Sequence, residues 1–225
     1  IVNDILDKEF DKKVSRTKNR PIASGKVSIK LGLAYVIYLC LIALLVLLNF
    51  NTLTIVLALG SMPLAFVYPL MKRYTYWPQL FLGITFNYGL ILGWVCIKSQ
   101  IDMLPIIFYV GAIFWTLGFD TIYGYQDIKD DEIIGVKSTS IKFKKNPELF
   151  LIICYLIFTI SLILVGLFMK FNLMYYFSLA LTALHLFFYQ IYNFNFKDPK
   201  NSLMIFKSNN FLGVVVLCNI LIGKI

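Results

Sequence analysis

Two acidic clusters carry the chemistry that this sequence can do. The first is Asn3-Asp4-Ile5-Leu6-Asp7-Lys8-Glu9-Phe10-Asp11. The second is Asp120-Thr121-Ile122-Tyr123-Gly124-Tyr125-Gln126-Asp127-Ile128-Lys129-Asp130-Asp131. On a helix, Asn3, Asp7 and Asp11 fall at i, i+4 and i+8, so their oxygens share one face. Asp120, Asp127 and Asp131, at i, i+7 and i+11, do the same in the second cluster. Carboxylates aligned in this way repel one another unless a cation lies between them. The spacing therefore predicts a divalent-metal site. Mg²⁺ suits it: this ion prefers oxygen ligands, keeps waters, and takes one or two carboxylates together with substrate phosphates. Two acidic faces across a bundle mouth would hold Mg²⁺ with a diphosphate between them, neutralising charge on a departing diphosphate.

Cations stand beside both clusters. Arg16, Lys18 and Arg20 follow the first, and Lys137 follows the second. Arginine can grip phosphate oxygens with two parallel hydrogen bonds, while lysine supplies a mobile point charge. Lys72 and Arg73 lie between two apolar runs on the same side. Most other basic residues, Lys142, Lys144 and Lys145 among them, are expected to set membrane orientation only.

The elements that must position these groups are membrane helices. Hydrophobic residues make up 59% of the 225-residue chain and charged residues only 15%, against about 25% charged in soluble domains. Seven apolar runs approach the roughly 20 residues that cross a bilayer: 31–50, 53–70, 79–97, 103–121, 149–169, 172–191 and 206–223. Residues 1–14 read as the polar end of an eighth helix. Of the 21 Lys and Arg, all but Lys98, Lys170 and Lys224 fall before the first run or in alternate loops. This is the positive-inside pattern, and both acidic clusters share the basic side. The net charge of +9 thus reflects topology, and nucleic acid is not an expected partner. Cys40, Cys96, Cys154 and Cys218 are isolated within apolar runs and are expected to pack in the core, with no disulfide or zinc site. The second cluster is expected to continue the fourth span as one helix, turning at Gly135. Asn87, within an apolar run, is expected to bond across helices in preference to facing a polar substrate, and His185, without an acidic partner in sequence, is expected to be structural.

The paired motifs resemble a known family. Asn3-Asp4-x-x-Asp7-x-x-x-Asp11, with Arg16-Thr17-Lys18-Asn19-Arg20-Pro21 after it, is similar to the first signature of the UbiA superfamily of intramembrane prenyltransferases. The second cluster, followed by Ile134-Gly135-Val136-Lys137-Ser138-Thr139, resembles the second signature. The branch it most resembles is that of the 4-hydroxybenzoate polyprenyltransferases, also through Tyr68-Pro69-x-x-Lys72-Arg73 and Phe206-Lys207-Ser208-Asn209-Asn210-Phe211-x-Gly213.

The resemblance implies an all-α integral membrane bundle. It comprises a single domain over residues 1–225, with seven full spans and the end of an eighth helix, lacking the family's first helix and most of its second. It implies Mg²⁺-assisted transfer of a polyprenyl group from an allylic diphosphate to the ring of 4-hydroxybenzoate, in ubiquinone biosynthesis. Asn3, Asp7, Asp11, Asp127 and Asp131 would hold Mg²⁺ and diphosphate, helped by Arg16, Lys18, Arg20 and Lys137. By position and not by motif, Tyr123, one turn before Asp127, is expected to touch the diphosphate, and Lys72 or Arg73, between spans on the same side, to bind the benzoate carboxylate. Asp4 and Asp130 point off the two faces and rank lower.

The expected place is a bacterial inner membrane in preference to a mitochondrial one, with the site on the cytosolic or matrix side. Two rivals stand beside this reading. One is a UbiA-type enzyme with haem, naphthoate or chlorophyllide as acceptor. The other is a divalent-cation or lipid-phosphate transporter, which would call for ionisable residues at mid-membrane.

Overall fold

The computed structural model describes residues 1–224. Among them all regular structure is helical. Two short helices, α1 (Val2–Leu6) and α2 (Lys8–Asp11), precede α3 (Ile29–Leu47) and α4 (Thr52–Val67). A 3₁₀ turn at Tyr68–Leu70 leads into α5 (Met71–Tyr74), then α6 (Pro78–Phe86), α7 (Gly89–Lys98) and α8 (Met103–Gly124). The second cluster leads into α9 (Ile128–Ile134), followed by α10 (Thr139–Lys142) and α11 (Pro147–Phe168). The chain ends in α12 (Leu173–Ala183), a π-helical segment at Leu184–Ile191, and α13 (Pro199–Gly223).

Local chemistry explains where the long helices begin. The side chains of Ser28, Asn51 and Asn172 accept hydrogen bonds from the backbone N–H groups of Leu31, Thr54 and Tyr175, capping α3, α4 and α12. Pro78, Pro147 and Pro199 open α6, α11 and α13, where a missing N–H costs no hydrogen bond. Among the described residues, six helical stretches are long and apolar enough to cross a membrane: 29–47, 52–74, 78–98, 103–124, 147–168 and 199–223. The protein is a multi-pass membrane protein. Large apolar side chains such as Ile37, Leu45 and Phe177 are exposed on its outside, as a lipid-facing surface requires.

Four expectations change in detail. The run at 79–97 is interrupted at Asn87, whose amide donates to the Gly83 carbonyl at 2.9 Å and across to Thr116 Oγ1 at 2.8 Å. The run at 172–191 is helical along its length but changes from α to π hydrogen bonding at Leu184. The last span starts at Pro199 and not at 206. Among the cysteines only Cys154 is buried; Cys40 and Cys218 are exposed on the apolar outside and do not pack in the core.

The core is centred on α8, which packs against α6, α11 and α13. A polar chain crosses it. Tyr155 donates to Gln190 at 2.6 Å, Gln190 donates to Asn209 at 3.0 Å, and the Trp115 indole donates to the same Asn209 oxygen at 2.8 Å. His185 meets Ser208 at 3.1 Å, a structural bond between elements. Side-chain amides have no water to turn to in lipid, so these bonds specify which helix faces meet.

The α8–α11 contact is close because Gly118 lacks a side chain. A Cβ there would lie 2.6 Å from Tyr155 Cε1, and Tyr155 is held by Gln190. We therefore expect Gly118→Ala to destabilise the bundle by about 1–3 kcal/mol, read as a lowered midpoint of thermal unfolding in detergent.

Candidate active site

Both acidic clusters open onto one cavity of about 270 Å³. Asn3, Asp7 and Asp11 line it from the first, and Asp120, Tyr123, Asp127 and Asp131 from the second. Arg16, Arg20, Lys72 and Lys137 are the cations that line it.

Neither cluster is the straight helix that its spacing predicts. The first is kinked at Asp7 (φ −96°, ψ 2°), although Asp7 N–H still donates to Asn3 O at 2.9 Å and Asp11 N–H to Asp7 O at 2.8 Å. These i→i+4 bonds keep the row facing one way. In the second, α8 stops at Gly124, and Tyr125 and Gln126 donate only to the carbonyls three residues back, at 3.2 Å each. Asp127 (φ −110°, ψ 8°) then opens α9. The break accompanies burial of Tyr125, which is 1% exposed and packs against Phe194 and Phe196. It turns α9 so that Asp127 and Asp131 line the cavity while Asp130 lines a separate one.

Charge compensation dominates the site. Asp7 is 3% exposed and its Oδ2 lies 2.6 Å from Lys72 Nζ. Arg20 Nη1 lies 3.1 Å from both Asp11 Oδ2 and Asp4 Oδ1. The Arg16 Nε donates to both oxygens of Asp127, at 3.1 and 3.0 Å, its Nη2 also pairs with Asp127, and Nη1 donates to Tyr123 Oη at 2.8 Å. The Asp127 hydrogen bonds hold the Arg16 guanidinium above its usual range. Burial has the larger say at Asp7 and lifts its carboxyl above the usual range in spite of Lys72. Asp131 is raised to about 6, first by burial and then by Asp127.

The loops aim the remaining cations. Gly135 takes φ +80° at the end of α9, a conformation that glycine adopts without strain. The segment after it docks on α8: Thr139 Oγ1 meets Thr121 Oγ1 at 2.6 Å, Ser140 Oγ donates to Thr121 O at 2.7 Å, and Thr139 N–H donates to Gln79 Oε1 at 3.0 Å. Lys137 is thereby held at the cavity, its Nζ donating to the Tyr74 carbonyl at 3.1 Å.

Two predicted cations are not brought to the cavity. Lys18 is exposed. Arg73 turns toward the first cluster's backbone, donating to Leu6 O at 2.6 Å and lying 5.2 Å from the Phe10 ring.

Spacing puts Asp120 in the second acidic row, and it does line the cavity, although its position in sequence assigns it no role. Tyr68 and Gln79 line it too, and nothing in their spacing singles them out. Nor could sequence say which rings form a track. From Arg16 the rings run Tyr123, Phe206, Phe119 and Trp115, with centroids 4.5, 5.8 and 5.8 Å apart. The strip leads from the polar cavity into the apolar bundle, and its far ring is fixed by Asn209.

Mg²⁺ is chemically compatible with this donor set. Asp7 Oδ1 is buried without a hydrogen-bond partner, and Asp131 has no ion pair or side-chain hydrogen bond among the described residues. No three His, Cys, Asp or Glu side chains among those residues form a self-sufficient metal cage. An ion that uses one or two carboxylates and completes its shell with water and phosphate does not need one.

Comparison with known proteins agrees with this architecture. Residues 1–212 match the UbiA prenyltransferase family. The chain is 39% identical over 225 residues to 4-hydroxybenzoate geranyltransferase 2 of Lithospermum erythrorhizon, covering all of this chain and 73% of that protein. It is 41% identical to the mitochondrial 4-hydroxybenzoate polyprenyltransferase of Homo sapiens, covering all of this chain and 60% of the human protein. A UbiA homolog from Aeropyrum pernix K1, solved in its apo form, superposes with a TM-score of 0.83 at 22% identity, over all of this chain and 83% of that one. With its acidic rows facing one cavity in a helical membrane bundle, the chain belongs to the UbiA prenyltransferase family.

Proposed function

We propose that this chain transfers a polyprenyl group from an allylic polyprenyl diphosphate to the ring of 4-hydroxybenzoate, the acceptor in the names of its plant and human relatives. The observation that carries the reading is a single cavity where two carboxylate rows meet four cations at the foot of an aromatic strip. Asn3, Asp7, Asp11, Asp127 and Asp131 are the residues that would hold Mg²⁺, which when bound neutralises charge on the departing diphosphate. Arg16, Arg20 and Lys137 bind the diphosphate oxygens, and Tyr123 orients Arg16. Lys72 lines the cavity and Arg73 does not, so Lys72 is the candidate for the benzoate carboxylate.

The isoprenoid tail follows Tyr123, Phe206, Phe119 and Trp115 into the bundle. Their ring faces attract an allylic cation, and the surrounding lipid and apolar wall keep out water that would capture it. The C–O bond to diphosphate breaks with its electron pair leaving on the diphosphate. The ring carbon ortho to the phenol forms the new C–C bond and releases its proton. Asp120, a lining carboxylate without an ion pair among the described residues, is the candidate to accept that proton. The cavity lies on the side of the basic loops, which is the cytosol in a bacterial inner membrane. In a mitochondrial inner membrane, the organelle in the human relative's name, it is the matrix.

In membranes containing the chain, labelled 4-hydroxybenzoate and a polyprenyl diphosphate, we expect EDTA to abolish prenylation. Asp7→Ala and Asp127→Ala should each lower turnover by about a hundredfold or more. Turnover that survives all three treatments would refute the mechanism. Lys72→Ala should raise the KM for 4-hydroxybenzoate more than it lowers kcat, whereas Arg73→Ala should leave that KM within about twofold.

Asp131 supplies a test through stability. Its folded pKa of about 6 lies above the ordinary 3.8, so its charged form opposes folding. That penalty is complete above pH 6 and absent below pH 3.8. Without metal, Asp131→Asn should therefore raise the unfolding midpoint at pH 7.5. The gain should fade as pH falls through 6 toward 4, while prenylation is lost.

A further inference from the structure

On the far side of α9 from the active site lies a second cavity, of about 580 Å³. Tyr125, Lys129, Asp130, Lys144, Phe196 and Lys197 line it. Its depth follows from its walls: α8 ends just before Tyr125, and α13 begins just after Lys197. Both are membrane-spanning helices, so the cavity sits where their ends meet the lipid headgroups.

Two observations point to a ligand. The Tyr125 hydroxyl is buried with no hydrogen-bond partner, although the residue is 1% exposed and an unmet buried donor is costly. Beside it, Lys144 is satisfied by Glu132 at 2.8 Å, whereas Lys129 and Lys197 have no carboxylate partner among the described residues. Lys197 Nζ instead lies 5.8 Å from the Phe196 ring, which leaves its charge available. In sequence these lysines serve only to set topology. In the fold they line one cavity together with Tyr125 and the apolar ring of Phe196.

We propose that this cavity binds the headgroup of an anionic phospholipid. Its phosphate takes the Tyr125 hydroxyl and the ammonium groups of Lys129 and Lys197, its glycerol hydroxyl donates to Asp130, and its apolar part lies against Phe196. Basic pockets between spanning helices on the cytoplasmic or matrix side suit such headgroups. Asp130 precedes Asp131 on α9, so a lipid held here also steadies the helix whose other face lines the active site.

The test uses the full chain in nanodiscs of phosphatidylcholine alone or with phosphatidylglycerol. Native mass spectrometry after delipidation reads which lipid stays bound, and thermal unfolding reads the linkage. Wild type should retain phosphatidylglycerol selectively and unfold at a higher midpoint with it. Lys129→Ala/Lys197→Ala should weaken retention about thirty-fold, or about fivefold for each lysine removed. Tyr125→Phe, which keeps the buried ring and removes the unmet hydroxyl, should weaken it several-fold while leaving the phosphatidylcholine midpoint no lower than wild type. Equal retention of both lipids, or variants that match wild type, would overturn the proposal. So would inorganic phosphate raising the midpoint as far as the lipid does, since that would assign the cavity to a free anion.

Discussion

Opposite charges meeting at the end of an apolar bundle are the constraint on which the rest of this structure depends. Asp7, Asp11 and Asp127 could not stay largely buried beside one another without Lys72, Arg20 and Arg16, because buried charge is tolerated only when paired. Each pair joins elements that are separate in sequence or across a break. Lys72–Asp7 ties the second basic loop to the first cluster, and Arg16–Asp127 ties the loop after the first cluster to the second. The ion pairs therefore serve as assembly contacts between elements as well as lining the cavity. Compensation is incomplete at Asp7 Oδ1 and Asp131, the atoms best suited to an additional cation.

The apolar bundle supplies what the polar mouth needs. It is held by packing and by a few buried side-chain amides, Gln190 and Asn209 above all. Asn209 also fixes Trp115 at the deep end of the aromatic strip, so one residue links helix packing to the path proposed for the tail. The change to π hydrogen bonding at Leu184–Ile191 falls in the element that carries Gln190. Such irregularities often mark places where a side chain is held for a purpose.

α9 has two faces that line different cavities. Asp127 and Asp131 line the first, while Lys129 and Asp130 line the second. The break between α8 and α9 makes this division possible, since an unbroken helix would carry the second row straight on from Asp120. Burial of Tyr125 in the break accompanies the turn that brings Asp127 and Asp131 to the cavity and also leaves the Tyr125 hydroxyl without a partner.

Sequence determined a good deal by itself. Period and hydropathy are local properties, so the apolar runs, the basic-side asymmetry and the two acidic rows could be read directly. Asn3, Asp7, Asp11, Asp127 and Asp131 do line one cavity, as their spacing led one to expect. Only tertiary structure decided how they get there, through a kink at Asp7 and a break after Gly124, because these breaks come with contacts distant in the chain. Tertiary packing alone separated Lys72 from its neighbour Arg73 and left Lys18 outside. It also brought Gln79 to Thr139 and ordered Tyr123, Phe206, Phe119 and Trp115 into one strip. A basic residue beside a motif has the same sequence signature whether it faces the cavity or the solvent; which way it turns depends on the helices packed around it.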